Sequence, residues 1–322
     1  MDMYTGFAGI YDEFMDNIPY ETIVADLLSL MKSYGVLPKS GPVVELGCGT
    51  GTITRAVADH GYHVIGVDLS EEMLNVAWQQ ECEPDGQGDD LEYAQDNCLK
   101  METVDEIEAE VEDDLEYAQD NCLKMEAVDE IETEVEDDLD DDPEIDSEPG
   151  AFPLHRGRIL YLCQDILELE LPEEYSFVFA LSDTMNYLIQ DGDLAEAFRR
   201  VSDCLSKGGR FVFDLKTEYL YTDGMGDQTI VDSREDATLI WENTYDEEEH
   251  INEYALTMFQ KKEPSGLYEK FEEFHYQRAY TKEEITEAAK KAGLVVEAYF
   301  EAYTHKEVSR TTERVYVVLR RD

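Results

Sequence analysis

Residues 43–54 read VVELGCGTGTIT, and this stretch decides the fold. Its first four residues have the apolar, β-branched character of a buried strand, and a glycine-rich turn from Gly47 to Gly51 follows at once. The residues from Thr52 to His60 then have helical composition. A glycine turn between a strand and a helix lets a ligand approach the free N–H groups of the helix N-terminus. The stretch therefore predicts a ligand-binding turn at the end of the first strand of an α/β sheet.

The rest of the chain continues this alternation of strands and helices. A helix is expected after Ser70, another over 194–205, and a third after the capping box formed by Thr281 and Glu284. Further strands are expected at 63–67, 159–163, 177–181, 210–215, 294–299 and 315–319. Between 217 and 280 short alternating runs follow one another without helices. The sequence therefore predicts a doubly wound, mostly parallel, Rossmann-like sheet of seven strands with an antiparallel β cover.

One segment carries most of the charge. The chain has 77 acidic and 25 basic residues, a formal net charge of −52, and residues 81–150 alone hold 31 of the acids with only two lysines. Within that segment the 24 residues 89–112 recur at 113–136 with two changes. An apolar stripe with steps of three or four runs from Leu91 to Leu139 and predicts a helix. Two interpretations remain open: a solvated spacer, helical or disordered, and a docking arm for a basic protein partner.

Composition also limits which partners and which cellular compartment we expect. A strongly acidic chain is a poor match for nucleic-acid backbones or anionic lipid, so neither is an expected partner. No apolar run approaches a membrane span, the first residues lack the character of a signal peptide, and the six cysteines form no CxxC pair. We expect a cytoplasmic protein with reduced thiols and no metal site.

The residues around the glycine turn indicate the kind of ligand. The dinucleotide fingerprint needs a third glycine where Thr52 stands, which disfavours a nicotinamide cofactor. Glu45 lies two residues before Gly47, where a carboxylate would repel a pyrophosphate but suits an ammonium group. Asp68 ends the second strand, where a carboxylate can accept the protons of ribose hydroxyls. S-adenosylmethionine has an amine, a ribose and a sulfonium but no phosphate. Its amine suits Glu45, and its ribose suits Asp68.

The chain resembles the class I S-adenosylmethionine-dependent methyltransferases, and most closely the small bacterial methyltransferases of the YqeM type. Five motifs carry the class resemblance: VVELGCGTGTIT (43–54), HVIGVDLSEEML (63–74), LYLCQDILELEL (160–171), YSFVFALSDTMNYL (175–188) and LSKGGRFVFDL (205–215). The narrower resemblance rests on FAGIYDEFMDNIPY (7–20) and GLYEKFEEFHYQRAYTKEEI (266–285). The acidic insert between the second and third motifs departs from the family pattern.

The resemblance implies a role for each matching residue, with S-adenosylmethionine as the cofactor. The residues expected beside the methionyl portion are Glu45, Gly47, Cys48, Gly49, Leu181, Ser182 and Asp183. Asp68 is expected to hold the ribose. The residues expected around the adenine are Leu69, Met73, Gln164, Asp165 and Ile166. Tyr11 is expected to close over the cofactor.

The acceptor side is less well defined by the sequence. Candidate substrate contacts are Asn186 and Tyr187 after the fourth strand, and His275 and Arg278 in the cover, with Tyr303 beyond it. His275 and Tyr187 are the catalytic candidates, because a histidine can remove a proton from an acceptor oxygen or nitrogen. A structural or substrate-contacting role for His275 stays open. The expected reaction is methyl transfer to an O or N of a small molecule.

Two other functions remain as alternatives. A non-catalytic protein could use the same fold as a scaffold and the acidic arm as its contact with a partner. An aminopropyltransferase would match the acidic site, although the paired acidic motif expected after the fourth strand is absent. The expected organisation is 1–80 and 151–216 for the two halves of the methyltransferase domain, 81–150 for the insert, 217–280 for the substrate cover, and 281–322 for a final helix and hairpin.

Overall fold

The computed structural model describes residues 11, 14–16, 18–82, 98–100, 156–172, 174–262 and 264–322. Its helices are α1 (Tyr20–Ser33), α2 (Thr52–Asp59), α3 (Glu71–Cys82), α4 (Asp193–Cys204) and α5 (Lys282–Lys291). Within these described ranges, none of the helices combines the length and apolar character that crossing a membrane requires. The acidic tandem repeat lies outside the described residues, apart from Cys98–Lys100.

The main sheet has eight strands in the order β11-β12-β6-β5-β1-β2-β4-β3. Its strands are β1 (Val43–Leu46), β2 (Val64–Asp68), β3 (Cys98–Lys100), β4 (Ile159–Cys163), β5 (Tyr175–Ala180), β6 (Leu205–Lys216), β11 (Leu294–Glu301) and β12 (Arg314–Arg321). Six of them run parallel, and β12 pairs antiparallel with both β6 and β11. The predicted seven-stranded, doubly wound sheet is confirmed, with one short strand added at its edge.

Both faces of this sheet are covered, which is why its central strands are buried along nearly their whole length. All four residues of β1 are buried, and their side chains alternate between the two faces. Val44 and Leu46 belong to a core that includes Phe198 of α4, whereas Val43 belongs to the opposite core with Leu27 of α1. The helices are therefore fixed to the sheet by apolar burial on both sides.

The predicted antiparallel cover is a separate sheet of four strands. It consists of β7 (Thr229–Ser233), β8 (Ala237–Asp246), β9 (Ile251–Lys262) and β10 (Leu267–Arg278), in the order β10-β9-β8-β7. On β10 the buried positions alternate, so Glu273, His275 and Gln277 share one face, and that face is inward. Three polar side chains in a row on a buried face must all be satisfied by partners.

The structure differs from the sequence-based expectation at two places. Cys98–Lys100 form a strand that pairs parallel with Ile159 to Tyr161, whereas the apolar stripe had predicted a helix there. The Cys-Leu-Lys segment has low net charge and can add to the open edge of β4, and this pairing outweighs its helical periodicity. In addition, β6 begins at Leu205 directly after α4 and not at 210 as expected, so Gly208 and Gly209 lie inside the strand.

Candidate active site

A cavity of about 670 Å³ lies where β1, β2, β4 and β5 end. The residue following each of these strands lines it: Gly47, Leu69, Gln164 and Leu181. The chain builds the sheet in one direction from β1 through β2 to β4 and in the other direction from β5 to β6. In open α/β sheets, such a change of direction leaves a crevice at the carboxyl ends of the strands. The fold therefore places the sequence-predicted turn and acids around one cavity.

The charge on the cavity wall has a single sign. Six acidic side chains line it: Glu45, Asp68, Glu71, Glu72, Asp165 and Asp193. Among the described residues that line it there is no lysine, arginine or histidine. Such a wall repels phosphate and favours a ligand with positive charge, because opposite charges attract strongly where water is partly excluded.

The glycine turn is fixed by backbone hydrogen bonds to β2. The N–H groups of Gly47 and Cys48 donate to the carbonyl of Val67 at 2.7 and 3.0 Å. Gly47 has a φ of +69°, and a Cβ there would overlap the side chain of Thr184. Only glycine allows the turn to approach the loop after β5 this closely.

Asp68 at the end of β2 supports the same turn. Its Oδ2 accepts the backbone N–H of Gly49 at 2.7 Å, and its Oδ1 accepts that of Ser70 at 2.9 Å. Burial raises the pKa of this carboxyl, although the N–H donors of Ser70 and Gly49 act in the opposite direction. Each carboxylate oxygen has a second lone pair, so Asp68 can still accept from ligand hydroxyls in the cavity.

Glu45 is an acid in the interior of β1, and only 2 % of its surface is exposed. Burial raises its pKa to about 8, and the charge of Asp68 adds to the effect, whereas a hydrogen bond donated by the Thr54 hydroxyl opposes it. Near neutral pH this carboxyl therefore retains its proton for much of the time. A positive group in the cavity would favour its ionised form.

The loop after β4 forms the far end of the cavity. The side-chain amide of Gln164 is bonded to the backbone of Glu170, donating to its carbonyl at 3.2 Å and accepting its N–H at 3.0 Å. Asp165 accepts the N–H of Leu167 at 2.8 Å and caps a short 3₁₀ turn. Both residues line the cavity, as do Leu69, Met73 and Ile166, which the sequence had assigned to the same end. Gln164 thus stabilises the loop after β4 and also lines the cavity.

The loop after β5 contains one residue whose placement differs from the expectation. Leu181 and Ser182 line the cavity, but Asp183, expected beside the methionyl group, does not, and only 15 % of its side chain is exposed. Its Oδ2 forms an ion pair with Lys216 at 2.8 Å and its Oδ1 with Arg314 at 3.0 Å. Burial opposes ionisation, but these two cations outweigh it and lower the pKa of Asp183. The loop predicted from the sequence therefore lines the cavity, whereas the side chain of Asp183 contacts other parts of the protein.

The acceptor-side candidates are also divided by the structure. Tyr187 lines the cavity, and Tyr11 and Tyr20 lie in the same wall. Asn186 does not line it: its amide is fully buried, donates to the carbonyl of Arg278 at 2.8 Å and accepts the N–H of Lys216 at 3.0 Å. Asn186 is therefore placed to brace the backbone and not to contact a substrate.

Arg278 and Tyr303 likewise lie away from the lining residues. Arg278 forms ion pairs with Asp191 at 3.0 Å and Glu284 at 3.3 Å, which hold β10 beside α5. Tyr303 packs edge-on against Tyr316 of β12. Both side chains were expected to contact the acceptor, but in the structure they contact other residues of the protein.

His275 reaches the cavity through Tyr187. Only 2 % of the His275 surface is exposed, its Nδ1 lies 3.3 Å from the Tyr187 hydroxyl, and its Nε2 lies 3.2 Å from Oε2 of Glu273. The three side chains form a line from a buried carboxylate to the cavity wall. Glu273 was not among the sequence-predicted residues. The alternation EEFHYQR on β10 could have indicated it, because residues two apart on a strand share a face.

Sequence reasoning also missed a cluster of charged residues that is largely shielded from solvent. Asp214 and Lys216 at the end of β6 and Arg314 at the start of β12 surround Asp183, and Gln277 of β10 completes the set. The one available signal is positional: polar residues at the ends of neighbouring strands meet at one edge of the sheet.

Comparison with known proteins agrees with this geometry. Residues 11–299 match a family model described as a methyltransferase domain. A Bacillus subtilis (strain 168) protein named "Putative methyltransferase YqeM" is 25% identical over 315 residues, which cover 98% of this chain and 95% of that protein.

Two solved structures have the same fold. An S-adenosylmethionine-dependent methyltransferase from Clostridium acetobutylicum is 20% identical with a TM-score of 0.65, and the match covers 99% of this chain and 98% of that one. CalS10 from Micromonospora echinaspora, an amino pentose methyltransferase solved with S-adenosylmethionine bound, is 16% identical with a TM-score of 0.57, and covers 97% of each chain.

Proposed function

Because the chain belongs to the methyltransferase family whose model matches residues 11–299, we propose that it transfers a methyl group from S-adenosylmethionine to a nitrogen or oxygen of a small acceptor. The observation that carries the proposal is the cavity wall, with six acidic side chains and no basic side chain among its described residues. A phosphate-bearing cofactor is a poor match for that wall. A cofactor with an ammonium and a sulfonium group is a good one.

The residues present fit this cofactor part by part. Glu45 and the turn at Gly47–Gly49 would hold the methionyl end, and Asp68 would accept from the ribose hydroxyls. Ser182 lines the cavity, and its buried hydroxyl oxygen has no hydrogen-bond partner among the described residues. Leu69, Met73 and Ile166 would enclose the adenine. When bound, S-adenosylmethionine supplies an electrophilic methyl group.

The chemistry left to the chain is alignment, exclusion of water and removal of one proton. An acceptor that received this methyl group would have to lose one proton. Tyr187 would take that proton on its oxygen while its own proton passes to Nδ1 of His275. The Glu273 carboxylate would stabilise the imidazolium that results.

The wall also indicates which acceptors to test first. A carboxylate or phosphate on the acceptor would meet further negative charge, so amines and neutral alcohols are the better matches. The similar fold of an amino pentose methyltransferase supports an amine, although this likeness extends to the fold alone. We place the reaction in the cytoplasm, as expected from the cysteine pattern of the sequence. Family membership favours methyl transfer over the scaffold and aminopropyltransferase alternatives.

The test is binding of S-adenosylmethionine and S-adenosylhomocysteine by calorimetry. Replacing Asp68 by Ala should weaken both by about 10- to 100-fold, because hydrogen bonds to a charged group contribute roughly 1.5–3 kcal/mol. Asp246→Ala is the matched control, since Asp246 also accepts two backbone N–H groups, from Glu248 and Glu249, in a turn of the cover. Wild-type protein that binds neither compound would overturn the proposal. If the wild-type protein binds the cofactor, methyl-transfer assays with metabolite pools separated by charge would identify the acceptor.

A further inference from the structure

The loop that follows β5 has an unusual backbone. Ser182 and Asp183 both have a φ of 60°, a left-handed conformation that side chains other than glycine seldom adopt. Two such residues in sequence are retained only where surrounding contacts enforce them. The loop also touches the glycine turn, because the Thr184 side chain occupies the space that a Cβ at Gly47 would need.

The enforcing contacts converge on Asp183. Its carboxylate is bonded to Lys216, Arg314 and the Gln277 amide, at 2.8, 3.0 and 2.6 Å. Its backbone N–H donates to Asp214 at 3.0 Å, and Asp214 is itself paired with Arg314. Two carboxylates and two cations therefore form one charge-balanced cluster, in which Asp214 is fully buried and the other three side chains are largely shielded from solvent. Removing one charge from such a cluster leaves another uncompensated.

The same loop is bonded to β10 at three points. Gln277 donates to Asp183 at 2.6 Å, Asn186 donates to the carbonyl of Arg278 at 2.8 Å, and the Tyr187 hydroxyl lies 3.3 Å from His275. None of the residues of β10, all of which lie in the described part of the chain, lines the cavity. The contacts thus join a strand remote from the cofactor wall to the loop that forms part of that wall.

We propose that Asp183 is a positioning residue that locks the Ser182–Thr184 loop to β10, so that cofactor occupancy and the order of β10 are coupled. The cavity wall at Ser182 and the His275–Glu273 pair on β10 are then held in a fixed position relative to each other. This inference rests on the proposed cofactor site. It adds that a strand without cofactor contacts responds to cofactor binding.

The first test is calorimetric titration with S-adenosylhomocysteine. Asp183→Asn keeps the shape and tolerates the left-handed backbone but removes the charge. We expect its affinity to fall at least tenfold at a temperature where circular dichroism shows it folded. The double variant Asp183→Asn/Lys216→Met restores charge balance and should recover affinity to within about threefold of wild type. Asp16→Asn, which breaks the exposed ion pair with Arg234, is the control.

A folded Asp183→Asn protein that binds S-adenosylhomocysteine within twofold of wild type would overturn the inference. A double variant no better than the single one would overturn the role of charge balance. Wild-type protein without affinity for the compound would instead refute the proposed function, so the two failures are distinguishable.

The second test covers the case in which Asp183→Asn does not fold. Hydrogen exchange of a peptide spanning 271–278 is followed with and without S-adenosylhomocysteine. We expect the compound to slow exchange in wild type and to have little effect in Gln277→Met, which loses the link between Asp183 and β10 without changing the charge of the cluster. Equal protection in the two proteins, or none in a wild type that binds the compound, would overturn the coupling.

Discussion

The backbone N–H of Gly49 donates to Oδ2 of Asp68 at 2.7 Å, so the glycine turn and the acid at the end of β2 hold each other in place. A change in either one therefore disturbs the other. Asp68 acts as a brace for the turn before any ligand arrives. The cofactor would meet a preformed site, and the conformational entropy of ordering the turn would already have been lost during folding.

Replacing Gly49 by Val should abolish binding of S-adenosylhomocysteine. Gly49 has a φ of +55° and lines the cavity, so a β-branched side chain there is strained and fills ligand space. Gly35→Val is the control, because Gly35 has a φ of +77°, open space around it and no place in the cavity. Both variants should lose stability, but only the Gly49 variant should lose calorimetric binding. Equal binding by the two would remove the turn from the site.

Glu45 gives the free energy of unfolding a specific dependence on pH. Its folded pKa of about 8 lies above the ordinary 4.5, so the folded state holds a proton that the unfolded state releases. This contribution to stability is complete below about pH 4.5 and is lost as pH rises towards 8, at up to about 1.4 kcal/mol per pH unit. In Glu45→Gln this slope should disappear. Urea unfolding of both proteins between pH 5 and 8 measures it, and parallel slopes would contradict the assignment.

The Tyr187–His275–Glu273 line should affect turnover and not cofactor binding. Tyr187→Phe and Glu273→Gln should lower the rate of S-adenosylhomocysteine formation with an active acceptor pool by about 10²- to 10⁴-fold, the usual range for general acid–base groups. Affinity for S-adenosylhomocysteine should stay within about threefold. Tyr245 and His250, 3.3 Å apart beside Glu218, form a similar but exposed group that serves as a control. Tyr245→Phe should leave the rate unchanged.

The insert can be shortened without loss of cofactor binding if β3 is kept. Deleting residues 101–150 and joining Lys100 to Ala151 by a flexible linker removes 24 acids and one lysine but retains Cys98–Lys100. We expect unchanged affinity for S-adenosylhomocysteine and equal or higher stability at low salt, because self-repulsion falls. Deleting 82–150 also removes β3 and leaves the edge of β4 open, so association on size-exclusion chromatography should increase. Loss of binding in the shorter deletion would show that the removed residues support the site.

The residues that the sequence predicted well are those whose role follows from local pattern. The strand before Gly47, the acid after β2 and the capping box at Thr281 each depend on a few neighbours in the chain, and the structure has them where the pattern indicated. The contacts of Asp183 could not be predicted from the sequence, because its partners come from β6, β10 and β12. Pairings across such distances leave no periodic signal in one sequence.

The edge strand β3 comes from the first copy of the tandem repeat, and the second copy contains the same three letters at 122–124. The sequence thus contains two copies of the segment that forms the edge strand. Slippage during replication that adds or removes a whole 24-residue unit changes the length of the insert while leaving a Cys-Leu-Lys segment to close the sheet. A change in copy number by whole units would therefore leave the main sheet with a segment that can form its edge strand.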